Sequence, residues 1–124
     1  HWNVEGPDFA QYHQFFGDLY SEVYENTIDQ TAEYIRTLDV YTPGSFERFG
    51  ELSVISGQTK IPRAMLMIQE LADDNNAMLQ ILTQTFKSAV DENNEGIANF
   101  IAERLDAHNK HGWMLRSFLK GSRA

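Results

Sequence analysis

The sequence predicts an all-α protein. The expected architecture is a four-helix bundle whose first helix is largely missing from this chain and whose middle connection carries a short extra helix. Three observations predict it. Apolar residues recur at steps of three and four through three long segments, no segment alternates in the manner of a half-buried strand, and no Asn-Gly or Asp-Gly hairpin turn occurs.

The first segment runs from about Pro7 to Leu38, with Phe9, Tyr12, Phe16, Leu19, Val23, Ile28, Ala32 and Ile35 as its stripe. Pro7 suits a first helical turn, where its missing N–H has no intrahelical partner to lose. The stripe slips at Tyr24–Thr27, where the next apolar residue comes five positions on. A π-bulge or a simple local irregularity accounts for that slip. Pro43-Gly44 ends the segment, and Phe46, Phe49 and Leu52 mark a short helix over about Ser45 to Ser53. The next long segment, about Ile61 to Val90, opens with Pro62 in its first turn. It carries Met65, Ile68, Leu71, Ala72, Leu79, Leu82, Phe86 and Ala89 on one face. Asn93, Asn94 and Gly96 break the chain again. The last segment, about Glu95 to Leu119, aligns Ile97, Ile101, Leu105, His108, Gly112, Leu115 and Leu119. Helices of this length reach roughly 40 Å and close most readily as a bundle. Residues His1 to Glu5 read as the tail of an earlier helix, so an apolar groove is expected that something else must fill.

At 124 residues and 42% apolar, the chain fits one domain over 1–124 with a real core. It has no cysteine, which excludes disulfides, thiolate zinc sites, iron–sulfur clusters and cysteine nucleophiles. Eighteen acidic against ten basic residues give a net charge of −8, which argues against binding of a phosphate backbone by the domain surface. No apolar run approaches the ~18 residues of a membrane span, and no signal-peptide pattern opens the chain. The compartment expected from this is the cytoplasm. The first residue is His1 rather than Met, which reads as a processed or truncated piece of a longer product.

Ligand-type side chains gather in the first segment: His1, His13 and Asp18, then Asp29 and Glu33 at i, i+4. Imidazole with carboxylate suits iron, manganese or zinc. Each residue alone has an ordinary reading, as a solvated charge or a packed histidine. His108 and His111, at i, i+3, could form a secondary metal site, and read better as core or surface histidines. Asp91, Glu92 and Glu95 form either a cation-concentrating cluster or an ordinary polar turn.

The pattern His1-Trp2-Asn3-Val4-x-Gly6-Pro7-x-Phe9-x-x-x-His13, followed by Ile28-Asp29-x-x-Ala32-Glu33, resembles the DNA-binding protein from starved cells (Dps) family of miniferritins. Pro43-Gly44-Ser45 with its short helix is similar to that family's connector, and Asp106 to Phe118 looks like its final helix. The resemblance implies a ferritin-like fold in a dodecameric, cytoplasmic homo-oligomer, with iron (Fe2+/Fe3+, di-iron) as the metal. It implies a ferroxidase that oxidises Fe(II), with hydrogen peroxide as co-substrate, at sites on two-fold interfaces, stores ferric mineral, and so protects DNA from oxidative damage. His1 and His13 match the ligands from one subunit, and Asp29 and Glu33 those from its partner; these four are the expected catalytic residues. The family's remaining aspartate is the departure. The apolar phase puts it on Gly17, while the ligand spacing puts it on Asp18, so Asp18 stays a candidate metal ligand. Trp2 is either a radical trap or, as preferred here, an interface aromatic. No Glu-x-x-His occurs, which weighs against a site inside one bundle. The alternative function is a DNA-compacting structural cage with a degraded or absent ferroxidase site. The missing basic tail and the −8 charge count against it.

Overall fold

The computed structural model describes residues 1–121. Four helices and no strand occur among the described residues: α1 (Phe9–Thr37), α2 (Phe46–Leu52), α3 (Ala64–Asp91) and α4 (Glu95–Lys120). All four expected helices are present, and the protein is all-α. The chain divides into two compact units, His1–Ile61 and Pro62–Ala124.

In the first unit, residues 1–5 are not helical, contrary to their expected reading as a helix tail. Gly6 takes a left-handed φ of 117° and its carbonyl accepts from the Phe9 N–H, so the break at Gly6-Pro7 turns the chain before α1 instead of starting it. Val4, ahead of that turn, and Phe16, on α1, are both buried. The helix then runs unbroken through Tyr24–Thr27 with no π-bulge. Regular i→i−4 bonding is kept there, and the phase slip is absorbed by leaving Tyr24 and Ile28 exposed. α1 stops at Asp39, whose φ of 62° ends helical bonding while its N–H reaches the Arg36 carbonyl. The following segment is tied back to the helix. Thr42 Oγ1 donates to the Ala32 carbonyl at 2.6 Å, and the Arg36 guanidinium lies 4.7 Å over the Tyr41 ring. The Ser45 side chain caps α2 by accepting from the Arg48 N–H.

In the second unit, Pro62 stays outside its helix, contrary to expectation. Arg63 is extended (ψ 159°) and acts as the N-cap, so α3 begins two residues after the proline. α3 and α4 form a hairpin of helices joined at Glu92–Asn94. The joint is a Schellman turn. Asn93 sits at φ 56°, its N–H bonds the Val90 carbonyl, and the Asn94 N–H bonds the Ala89 carbonyl at 2.8 Å. Asn94 then caps α4, its side-chain oxygen accepting from the Ile97 N–H. Ile68 and Leu115 are fully buried, with Ala72, Leu82, Ala89, Ala98 and Ile101 beside them in the buried set. No described helix is long and apolar enough to cross a membrane.

Candidate metal centre

His1 and His13 lie twelve positions apart, yet the structure stacks their rings. The centroids are 4.1 Å apart and the planes 16° from parallel. His13 also stacks with Phe9, at 4.9 Å. The imidazoles are fastened reciprocally: His1 Nδ1 donates to the His13 carbonyl at 2.8 Å, and His13 Nδ1 donates to the His1 carbonyl at 2.9 Å. A carbonyl can only accept, so each neutral ring carries its proton on Nδ1 and its lone pair on Nε2. This is the arrangement of a metal-binding histidine, whose second nitrogen is oriented by a backbone carbonyl. Both rings therefore fit a cation at Nε2. The lone pairs lie in nearly parallel planes, so they do not meet at one ion about 2.1 Å from each nitrogen. Each ring suits a cation of its own.

Gly17 completes this cluster. It follows His13 by one turn on the same face of α1, and the His1 ring lies against it. A Cβ at Gly17 would stand 2.9 Å from His1 Cε1 and 3.1 Å from Nδ1.

The acids of the expected site lie elsewhere. Asp18 is exposed and accepts from the Gln14 side chain at 2.9 Å, an i, i+4 pair on a different face from His13. Asp29 and Glu33 are exposed and share one face with each other. In an unbroken helix, Asp29 stands sixteen residues beyond His13, roughly 160° around the axis. Among the described residues, no group of three or more His, Asp or Glu side chains is placed to hold a metal. The structure thus brings His1 and His13 together within a chain and leaves Asp18, Asp29 and Glu33 apart from them.

The other histidine pair is built differently. His108 is buried, and both its nitrogens are engaged. Nδ1 donates to the Asn75 side-chain oxygen at 2.9 Å, and Nε2 accepts from the Arg104 guanidinium at 3.1 Å. Asn75 Nδ2 donates in turn to the His108 carbonyl, closing a two-bond clamp between α3 and α4. The buried His111 meets His108 edge to face at 5.2 Å. His108 is a structural histidine, with no lone pair left for a metal. Sequence reading missed Asn75 and Arg104, although the signal was there, since both occupy core positions of their stripes. It also missed Asp74 on α3, whose carboxyl is pushed above the usual range by burial, then by the neighbouring Glu70 and Asp73 carboxylates.

A ferritin-like domain family matches the chain over residues 1–124. The chain belongs to the ferritin-like family, in its Dps branch. It is 35% identical over 123 residues to a protein of Nostoc sp. (strain PCC 7120 / SAG 25.82 / UTEX 2576) described as an uncharacterized low temperature-induced protein, covering 98% of this chain and 68% of that one. It is 31% identical over 124 residues to the DNA protection during starvation protein of Brevibacillus brevis, covering 97% and 80%. In structure it is similar to Dps from Vibrio cholerae O1, with a TM-score of 0.91 and 27% identity, covering 97% of this chain and 75% of that one. That protein is described as belonging to a broad superfamily of ferritin-like diiron-carboxylate proteins. Dps from Staphylococcus aureus gives the same TM-score at 27% identity, covering 96% and 79%. In this Dps chain, the first unit by itself brings the His1 and His13 rings together.

Proposed function

We propose that this miniferritin takes Fe(II) as substrate, oxidises it with hydrogen peroxide and stores the ferric product, protecting DNA by removing both reagents of hydroxyl-radical formation. The observation that carries this reading is the His1–His13 pair, whose Nδ1 atoms are both committed to carbonyls so that Nε2 is left as the ligand. The single ferritin-like domain assembles as a dodecamer in the cytoplasm, and each site lies across a two-fold interface. His1 and His13 come from one subunit, with Asp29 and Glu33 of the partner subunit supplying carboxylate. Neutral imidazole holds Fe(II) without over-stabilising it, and carboxylate favours Fe(III) as it forms. The electrons balance when two Fe(II) each give up one and a single peroxide, with two protons, becomes two waters. The nearly fully exposed Trp2, Tyr41 and Phe46 offer apolar surface for a second copy to cover.

The test is stopped-flow measurement of ferric absorbance after mixing Fe(II)-loaded protein with peroxide. Saturation near two irons per site and loss of the fast phase in His13→Ala are expected. Unchanged kinetics in that variant would sink the reading. The roughly 160° offset between His13 and Asp29 makes the double variant Asp29→Asn, Glu33→Gln the sharper arm. A rate drop comparable to that of His13→Ala supports the partner acids, and a wild-type rate removes them from the site. DNA compaction is the lesser reading, because a subunit of charge −8 repels duplex DNA. Tight, salt-sensitive retardation in a gel would restore it.

A further inference from the structure

We propose that Gly17 is a positioning residue: its bare Cα is the seat on which the His1 imidazole lies, and this seat, not a side-chain ligand, is what α1 contributes one turn beyond His13. The inference rests on His1 and His13 being cation ligands, and it deepens that reading by naming what sets their geometry.

Glycine costs about 0.5–1 kcal/mol in a helix interior relative to alanine. Gly17 lies nine residues into a 29-residue helix and ends nothing. Its backbone takes no left-handed conformation, since among the described residues Gly6 is the one glycine with positive φ. The residue's use must lie in the space it leaves, and His1 occupies that space. Any Cβ would press on Cε1 at 2.9 Å and Nδ1 at 3.1 Å, the edge of the ring that makes the bond to the His13 carbonyl. The ring has little room to yield, because its other constraints are the 4.1 Å stack on His13 and the return bond from His13 Nδ1 to the His1 carbonyl. Moving the ring aside therefore breaks the clasp that puts the lone pair on Nε2. A carboxylate introduced at this position would unseat the imidazole with its own Cβ. An added ligand at position 17 is thus gained only by displacing an existing one.

The experiment compares the wild-type protein with Gly17→Ala, Gly17→Asp and Gly50→Ala. Gly50 is helical with nothing near its Cβ direction, so Gly50→Ala reports the effect of helix propensity alone. Imidazole 15N–13C correlation spectra of the metal-free protein read the tautomers and the contacts between the two rings. Zn(II) titration by calorimetry reads the ligand, and thermal melting reads the fold. Expected are Nδ1–H tautomers with inter-ring contacts in wild type and Gly50→Ala, and loss of those contacts in both Gly17 variants. Zn(II) affinity should fall by at least about tenfold in both Gly17 variants, with a melting temperature for Gly17→Ala no lower than wild type. Retained ring contacts in Gly17→Ala, Zn(II) affinity within about twofold of wild type, or tighter Zn(II) binding in Gly17→Asp would each overturn the proposal. If the ring contacts are lost in both Gly17 variants but wild type binds no Zn(II), the seat stands and the metal reading of the histidines falls.

Discussion

The chain carries two histidine pairs, and they are held in opposite ways. His1 and His13 stack face to face at the surface of the first unit, each tied by one nitrogen to a carbonyl. His108 and His111 meet edge to face in the interior of the second, with both nitrogens of His108 already satisfied by Asn75 and Arg104. The same residue type therefore serves as a candidate ligand in one place and as a joint between helices in the other. What separates the two roles is the chemistry of the acceptors. A carbonyl fixes the tautomer and leaves Nε2 open, whereas an amide together with a guanidinium consumes the whole ring.

That contrast can be broken by substitution, and the largest effect expected is on activity. His13→Ala should lower the initial rate of peroxide-driven Fe(II) oxidation at least about tenfold in stopped flow while leaving the melting temperature nearly unchanged. His108→Ala should do the reverse. It removes the ring that donates to the buried Asn75 side-chain oxygen and accepts from the Arg104 guanidinium, and should cost about 2–4 kcal/mol in urea unfolding, with the oxidation rate per folded subunit preserved. A rate loss in His108→Ala without unfolding would erase the distinction between the pairs.

A smaller effect is expected at Gly112, the second unit's counterpart to Gly17. Its missing Cβ admits Asn75 Nδ2, 3.1 Å away, and the end of the Arg116 side chain at 2.9 Å. Arg116 can swing aside, but Asn75 is held by the clamp. Gly112→Ala should therefore destabilise by about 1 kcal/mol where an unobstructed helical Gly→Ala would stabilise by a similar amount. Chemical denaturation reads the sign directly.

The smallest effect belongs to Asp74. Its folded pKa is raised above 3.8, so the folded state binds the proton more tightly than the unfolded state does. Ionised Asp74 thus opposes folding at neutral pH. That cost fades as pH falls through the folded pKa and is gone below the unfolded value. Asp74→Asn should raise the melting temperature slightly at pH 7, and the gain should shrink to nothing near pH 3. A gain that grows on acidification would reverse the assignment.

Much of the fold was legible because long helices write a periodic signal. Ile68, Ala72, Leu82, Ala89, Ile101 and Leu115 were all read into stripes and all are buried. Boundaries set by prolines were less legible. Pro7 and Pro62 mark turns ahead of their helices, since an extended residue such as Arg63 can intervene before helical bonding begins. Asn75 and Arg104 escaped notice because a polar residue at a core position looks like a gap in the pattern until its partner is seen. At the candidate site, sequence supplied His1 and His13 but not the stack, which depends on a turn at Gly6 folding twelve residues back on themselves. The choice between Gly17 and Asp18 could not be made from spacing alone, because it depends on whether α1 bulges. In an unbroken helix the two side-chain positions point about 100° apart.

The reciprocal fastening of His1 and His13 has one more consequence. A partner taken up at Nε2 of either ring leaves the Nδ1–H bond to the carbonyl in place. Loading of that nitrogen and the shape of this corner are therefore on separate latches, and emptying it leaves nothing to refold.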